Sequence, residues 1–218
     1  MKSIKTLGLL AISALALVAF VGTASASASV FKAGAVGKKL TTVTLSQHIF
    51  KITGAEVKCS LSDFEGETEA LESESQTVHP VYKECEAFGF KEGVSVTTTG
   101  CEYTFNANTT PEMGAVTVKN CGTEAGGEKG VLIKVNIPLL ATCEVLVPDQ
   151  EIPNAVSYAN NAGEIKVKAT AIGIKSNVVK STGLCPLTTG LHEGAEKGGT
   201  YTGESEVSAE GTTIEYVK

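Results

Sequence analysis

The chain has 218 residues, with 18 basic against 24 acidic side chains, a formal charge of −6, no Arg and no Trp. Arg supplies bidentate contacts to phosphates and base edges, and nucleic-acid binding needs a basic footprint. An acidic, Arg-free chain therefore excludes nucleic acid and anionic membrane surfaces as partners.

Residues 1–28 have the features of a signal peptide. Lys2 and Lys5 give a positive start, Leu7 to Gly22 supply about 16 mostly apolar positions, and small residues follow. Ala24-Ser25-Ala26 and Ala26-Ser27-Ala28 both fit the small-x-small pattern read by signal peptidase, so cleavage is expected after Ala26 or Ala28. The alternative is a retained anchor. A spanning helix takes about 20 apolar residues, and this run is shorter, with Gly8 and Ser13 inside it. No Cys follows the run to accept a lipid, and no second apolar stretch of spanning length exists. The mature chain is expected to be secreted, with no membrane contact once the signal is cleaved. Cutting after Ala28 leaves 190 residues and, because Lys2 and Lys5 depart, a formal charge of −8.

Residues 29–40, small and Gly-rich, read as a flexible lead-in, and 41–218 as one β domain. After position 28 there are 23 Thr and 20 Val but 11 Leu; the β-branched pair suits a pleated surface and is stiff in a helix. Strand signals recur every 10 to 15 residues, at Thr41–Leu45, His48–Thr53 and Ala55–Leu61, then Val94–Thr99, Cys101–Asn106 and Ala115–Lys119. Val131–Ile137, Ala141–Val147, Glu164–Thr170, Tyr201–Ser208 and Thr212–Val217 continue the series. Their period-2 alternation marks half-buried antiparallel strands. The expected fold is all-β, an antiparallel β-sandwich or barrel of roughly ten short strands. The Gly-rich stretches Ala125–Gly130 and Gly194–Gly199 lack the phosphate-loop pattern and read as turns.

Six cysteines, Cys59, Cys85, Cys101, Cys121, Cys143 and Cys185, stand behind the signal. An even count in an exported chain implies disulfides, and without a CxxC pair a zinc or redox reading is poor. Fifteen connectivities are possible. Pairing in chain order, Cys59–Cys85, Cys101–Cys121 and Cys143–Cys185, closes the shortest loops. A hairpin between Cys101–Asn106 and Ala115–Lys119 that keeps Tyr103 and Phe105 on the face of Val116 and Val118 sets position 101 opposite 120. Cys121 then lies just past the strand, and a turn must carry it back.

No catalytic or cofactor-binding residue stands out, and no cofactor is expected. If extended, Asp63, Glu65, Glu67 and Glu69 share one strand face about 6.5–7 Å apart, a weak calcium set or a carboxylate pair for hydrolysis; a charged face guarding a strand edge is the plainer reading. His48, His79 and His192 lack partners at metal spacing and read as surface or hydrogen-bonded structural side chains. Tyr82, Phe88, Phe90, Tyr103, Tyr158 and Tyr201 are candidates for a sugar-stacking face, although with aromatics at 6% most are needed in the core.

The run Val78-His-Pro-Val-Tyr-Lys-Glu-Cys85-Glu-Ala-Phe-Gly89, with Gly100-Cys101-Glu-Tyr103, resembles a group of uncharacterised secreted proteins of soil actinobacteria. Cys143-Glu-Val-Leu-Val-Pro148-Asp-Gln150 and Gly183-Leu-Cys185-Pro186 resemble later parts of the same group, so the likeness spans about residues 55 to 190. It implies a bacterial, exported, disulfide-bonded domain and transfers no site residues. Three functions follow from the sequence. The first is a non-catalytic extracellular or cell-envelope domain that binds a polymer, glycan or protein. The second is a secreted hydrolase using carboxylates of the Asp63–Glu74 segment, and the third a secreted protease inhibitor presenting the Asn106–Gly114 loop. Expressed with its leader in an exporting bacterium, the chain should mature to an N-terminus at Ser27 or Ser29 by intact mass; a species retaining Met1 in the membrane fraction would mark an anchor instead.

Overall fold

β-branched side chains and unbroken alternation carry most of the chain into strands. The computed structural model describes residues 29–52, 54–107 and 113–218; residues 1–28, where the signal peptide is expected, Thr53, and residues 108–112 of the Asn106–Gly114 stretch lie outside the described residues. The strands are β1 (Val30–Ala33), β2 (Lys39–Ile52), β3 (Ala55–Glu67), β4 (Glu72–Ser73), β5 (Ser75–Glu86), β6 (Val94–Thr97), β7 (Glu102–Asn106), β8 (Gly114–Lys119) and β9 (Glu124–Ala125). They continue as β10 (Glu128–Ile137), β11 (Ala141–Pro148), β12 (Gln150–Asn161), β13 (Glu164–Ile174), β14 (Ser176–Gly183) and β15 (Gly190–His192). A single helical turn, α1 (Gly194–Lys197), precedes β16 (Gly199–Ala209) and β17 (Ile214–Val217).

Eight strands close into an antiparallel barrel in the order β12-β13-β16-β2-β3-β5-β7-β8. The seam is β8 against β12, where Gln150 faces Val118 and Ile152 faces Val116. Beyond the end that holds Asn161, Glu164 and Val207, β17, β1 and β4 form a three-stranded sheet. Beyond the end that holds Lys119, Gln150 and Ile174 lies the sheet β15-β14-β11-β10-β6, with β9 paired to β10. A closed barrel has no free edge of its own.

The all-β expectation holds, and of its two forms the barrel is the one observed. Among the described residues seventeen strands replace the expected ten or so, several with 11 to 14 residues. The stretches Thr41–Leu45 and His48–Thr53 belong to one strand, β2, whose register against β3 shifts between Leu40 and His48. The stretch 29–40 is not a loose lead-in: β1 pairs with β17 and β4, and Phe31 is buried. The segment Gly194–Gly199 holds α1 instead of a simple turn.

Two prolines show how strands accommodate a missing N–H. Pro80 sits in β5 just past Val78, where the ladder to β7 ends, and its carbonyl accepts from Thr98 Oγ1. Pro153 lies in a register break of β12 between Ile152 and Val156, beside Asn154 with φ of 51°.

Three disulfides join Cys59–Cys85, Cys101–Cys121 and Cys143–Cys185. Cys59 and Cys85 are direct partners across β3 and β5. In the β7–β8 hairpin Glu102 faces Lys119 and Phe105 faces Val116. Asn120, with φ of 58°, then turns the chain so that Cys121 reaches Cys101. The bridges span 26, 20 and 42 residues, loops for which chain entropy gives about 3–4 kcal/mol each. A Cys59→Ala/Cys85→Ala variant should lose that much in denaturant unfolding, and an unchanged midpoint would show that the barrel hydrogen bonds alone hold β3 to β5.

Candidate functional site

Alternation sends every second barrel residue inward, and the inner face is lopsided. The β2–β3–β5–β7 wall carries Phe50, Phe64, Tyr82, Tyr103 and Phe105, while the β8–β12–β13 wall has one ring, Tyr158, among aliphatic side chains that include the small Ala155, Ala169 and Ala171. Phe50 and Phe64 each meet the Tyr82 ring edge to face, with centroids 4.9 and 5.9 Å away. Large rings on one side and small side chains on the other leave a lumen of about 110 Å³, walled by all eight strands. Phe31 and Ile214 from the three-stranded sheet reach its one end, Val131 and Val147 from the larger sheet the other.

One polar cluster interrupts this surface. His48 is 2% exposed. Its Nε2 lies 2.8 Å from Ser62 Oγ and 3.1 Å from Ser205 Oγ, and its Nδ1 is hydrogen-bonded to the Tyr201 hydroxyl. Tyr201 is 3.0 Å from the Tyr82 hydroxyl, which interacts in turn with Tyr103. On the outer side, the Thr44 hydroxyl donates to the Ser62 carbonyl at 3.1 Å. The imidazole fits because β16 has a glycine there: a Cβ on Gly203 would stand 2.5 Å from His48 Nδ1.

The groups that face His48 from β3, β5 and β16 are hydroxyls and aromatic rings, without a carboxylate. Burial therefore acts on the ring unopposed and lowers its pKa to about 4. The imidazole is neutral at physiological pH. Burial likewise raises the phenols of Tyr82, Tyr103 and Tyr201 above their usual range, so the cluster holds no charge. A Ser beside His is the start of a nucleophile–base pair. A base this weak, with a phenol in place of a carboxylate at Nδ1, suits hydrogen bonding better than proton abstraction.

The other sequence candidates are dispersed. Asp63, Glu65 and Glu67 alternate with lumen-facing Ser62, Phe64 and Gly66 and so point outward; Asp63 pairs with Lys83 at 2.6 Å, and Glu69 accepts from the Thr77 N–H. Among the described residues no three His, Cys, Asp or Glu side chains gather to hold a metal. His79 is exposed and bonds the Cys101 carbonyl, and His192 bonds the Thr188 carbonyl. The six aromatics do not share a face: Tyr82, Tyr103, Tyr158 and Tyr201 line the lumen, whereas Phe88 and Phe90 are exposed beside the Ala87–Phe90 bridge. Ser62, Ser205 and Gly203 were not among the sequence candidates. The only available signal was a lone histidine within an apolar strand.

Compared with protein-family models, curated proteins and solved structures, the chain matches none. The class it defines rests on its own geometry: a closed eight-stranded antiparallel barrel around a mostly apolar lumen with one uncharged polar pole.

The lowered pKa has a consequence for stability. Above pH 6.5 His48 is neutral in both the folded and unfolded chain. As pH falls from about 6.5 toward 4 only the unfolded chain takes up the proton, so stability is lost across that window and levels off below it. The shift corresponds to about 3 kcal/mol. Between pH 7 and 4 the wild type should lose that much more than a His48→Gln variant in urea unfolding; parallel pH profiles would mean that His48 is solvated.

Proposed function

We propose that this chain acts outside the cytoplasm as a non-catalytic binding protein that holds one small, mostly apolar molecule in its barrel. The observation that carries the reading is the lumen of about 110 Å³ walled by all eight strands. Eight-stranded barrels have interiors either filled by side chains or just wide enough for one small ligand. Here small residues on β12 and β13 leave the space unfilled. Apolar cavities of roughly 150 Å³ stay dry and take up benzene-sized molecules, so the volume suits a compact guest and not a polymer.

Export supports the same reading. The apolar leader fits a signal peptide, and three intramolecular disulfides suit an oxidising compartment. Both features support an extracellular or envelope location, and the likeness to secreted actinobacterial proteins supports a bacterial host. The outward carboxylates Asp63, Glu65 and Glu67 lie on a strand paired on both sides, so they guard no edge and favour solubility over hydrolysis.

Benzene titrated into the folded protein should shift the NMR signals of lumen methyls such as those of Val118 and Val156, saturably. At ten times its Kd it should stabilise the protein by about 1.4 kcal/mol. Ala171→Leu, which fills the space, should abolish the shifts while the protein stays folded. Shifts that survive in Ala171→Leu would place the guest elsewhere and sink the proposal.

A further inference from the structure

The polar pole is a connected chain of hydroxyls, and its hydrogens can be counted. A neutral imidazole has one N–H and one lone pair, and each hydroxyl donates once. Suppose Nε2 carries the hydrogen. It then donates to Ser62 and Ser205; Nδ1 accepts from Tyr201, Tyr201 from Tyr82, and Tyr82 from Tyr103. Ser62 donates to Thr44 Oγ1 at 3.2 Å, and Thr44 to the Ser62 carbonyl. The Ser205 hydrogen is left over.

Suppose instead that Nδ1 carries it. The donors then run from His48 to Tyr201, Tyr82 and Tyr103, while Ser62 and Ser205 share the single Nε2 lone pair in a three-centre bond. The Tyr103 hydrogen is now left over. Ser205 and Tyr103 both line the lumen. In either state one hydroxyl hydrogen of the His48 cluster faces the lumen, and among the described residues neither arrangement gives it an acceptor. A buried donor without a partner costs free energy that an acceptor on a guest recovers.

Charge sets the second condition. No Asp, Glu or Lys lines the lumen, so a charged guest would be desolvated without a counter-ion. The facing rings of Phe50, Phe64, Tyr82 and Phe105 favour a flat body that can stack or meet their edges.

From the leftover hydrogen and the uncharged aromatic wall we infer that the guest is a neutral, ring-sized molecule bearing one hydrogen-bond acceptor, which accepts from Ser205 or Tyr103. The inference rests on the lumen being a binding site, and it adds the chemistry that the site selects.

Benzene and pyridine test it, because they have the same shape and only pyridine carries an acceptor. At pH 7.5 pyridine is neutral. Without a donor in the lumen, desolvation of its nitrogen would make it the weaker guest. Titrations followed by NMR should show pyridine binding at least as tightly as benzene to the wild type. In a Ser205→Ala/Tyr103→Phe variant the Nε2–H state leaves no hydrogen over, since Tyr82 donates to Tyr201 and Tyr201 to Nδ1, and pyridine should weaken about tenfold. Benzene should change less than about twofold in that variant, which doubles as evidence that the lumen has kept its shape. If benzene binds the wild type and pyridine binds markedly more weakly, the acceptor inference falls and the binding reading stands. If neither moves a lumen signal at saturation, both fall.

Discussion

The barrel depends on one pairing, β8 with β12. These strands are joined by residues 120–149, which hold β9, β10 and β11 and build most of the second sheet before the chain returns. Gln150, Glu151 and Ile152 then pair with Val118, Thr117 and Val116 and close the ring. Without that seam β8 and β12 would be open edges, with unpaired N–H and C=O groups. With it, inward side chains have only the lumen to occupy, and the smaller sheets need only cover the two ends.

Much of the fold was legible in the sequence, because alternation is a local signal. Val131 to Ile137 reads as a strand and is one, and the β7–β8 hairpin follows from which face its aromatics must share. What was missed has physical reasons. β12 is interrupted by Pro153 and a positive-φ Asn154, which break the period over which alternation is read. β5 contains Pro80 and charged residues, and it is a strand because β3 pairs along it from Val78 to Glu86 while β7 pairs up to Val78, just before the proline. β1 is only four residues long and looks like linker until β17, at the far end of the chain, supplies its partner. Its tertiary pairing overrides weak local preference.

The polar pole was less legible still. His48 meets Ser62, Tyr201 and Ser205, which are 14, 153 and 157 residues away. They converge only because β2 lies between β3 and β16 in the ring. A register shift in β2 before His48 sets which residues of β3 it faces, and shifts of this kind have no sequence signature as clear as a period. Gly203 reads as an unremarkable strand glycine until the imidazole is seen lying against it. The aromatics were noticed as a set, but alternation could not say whether they gathered on an outer face for sugars or turned inward. Barrel closure, a property of the whole chain, turned four of them in.

The placement of the tyrosines gives the protein an optical character. There is no Trp, and the chain has five Tyr. Four of them line the lumen, and the fifth, Tyr216, packs against Tyr158 and Phe31 where the three-stranded sheet covers the barrel end. Tyrosine emission of the intact protein therefore arises almost wholly from the interior and one lid. A guest entering the barrel, or a lid lifting from it, changes the surroundings of most of the chromophores at once. The molecule carries its own spectroscopic gauge of occupancy, with no label attached.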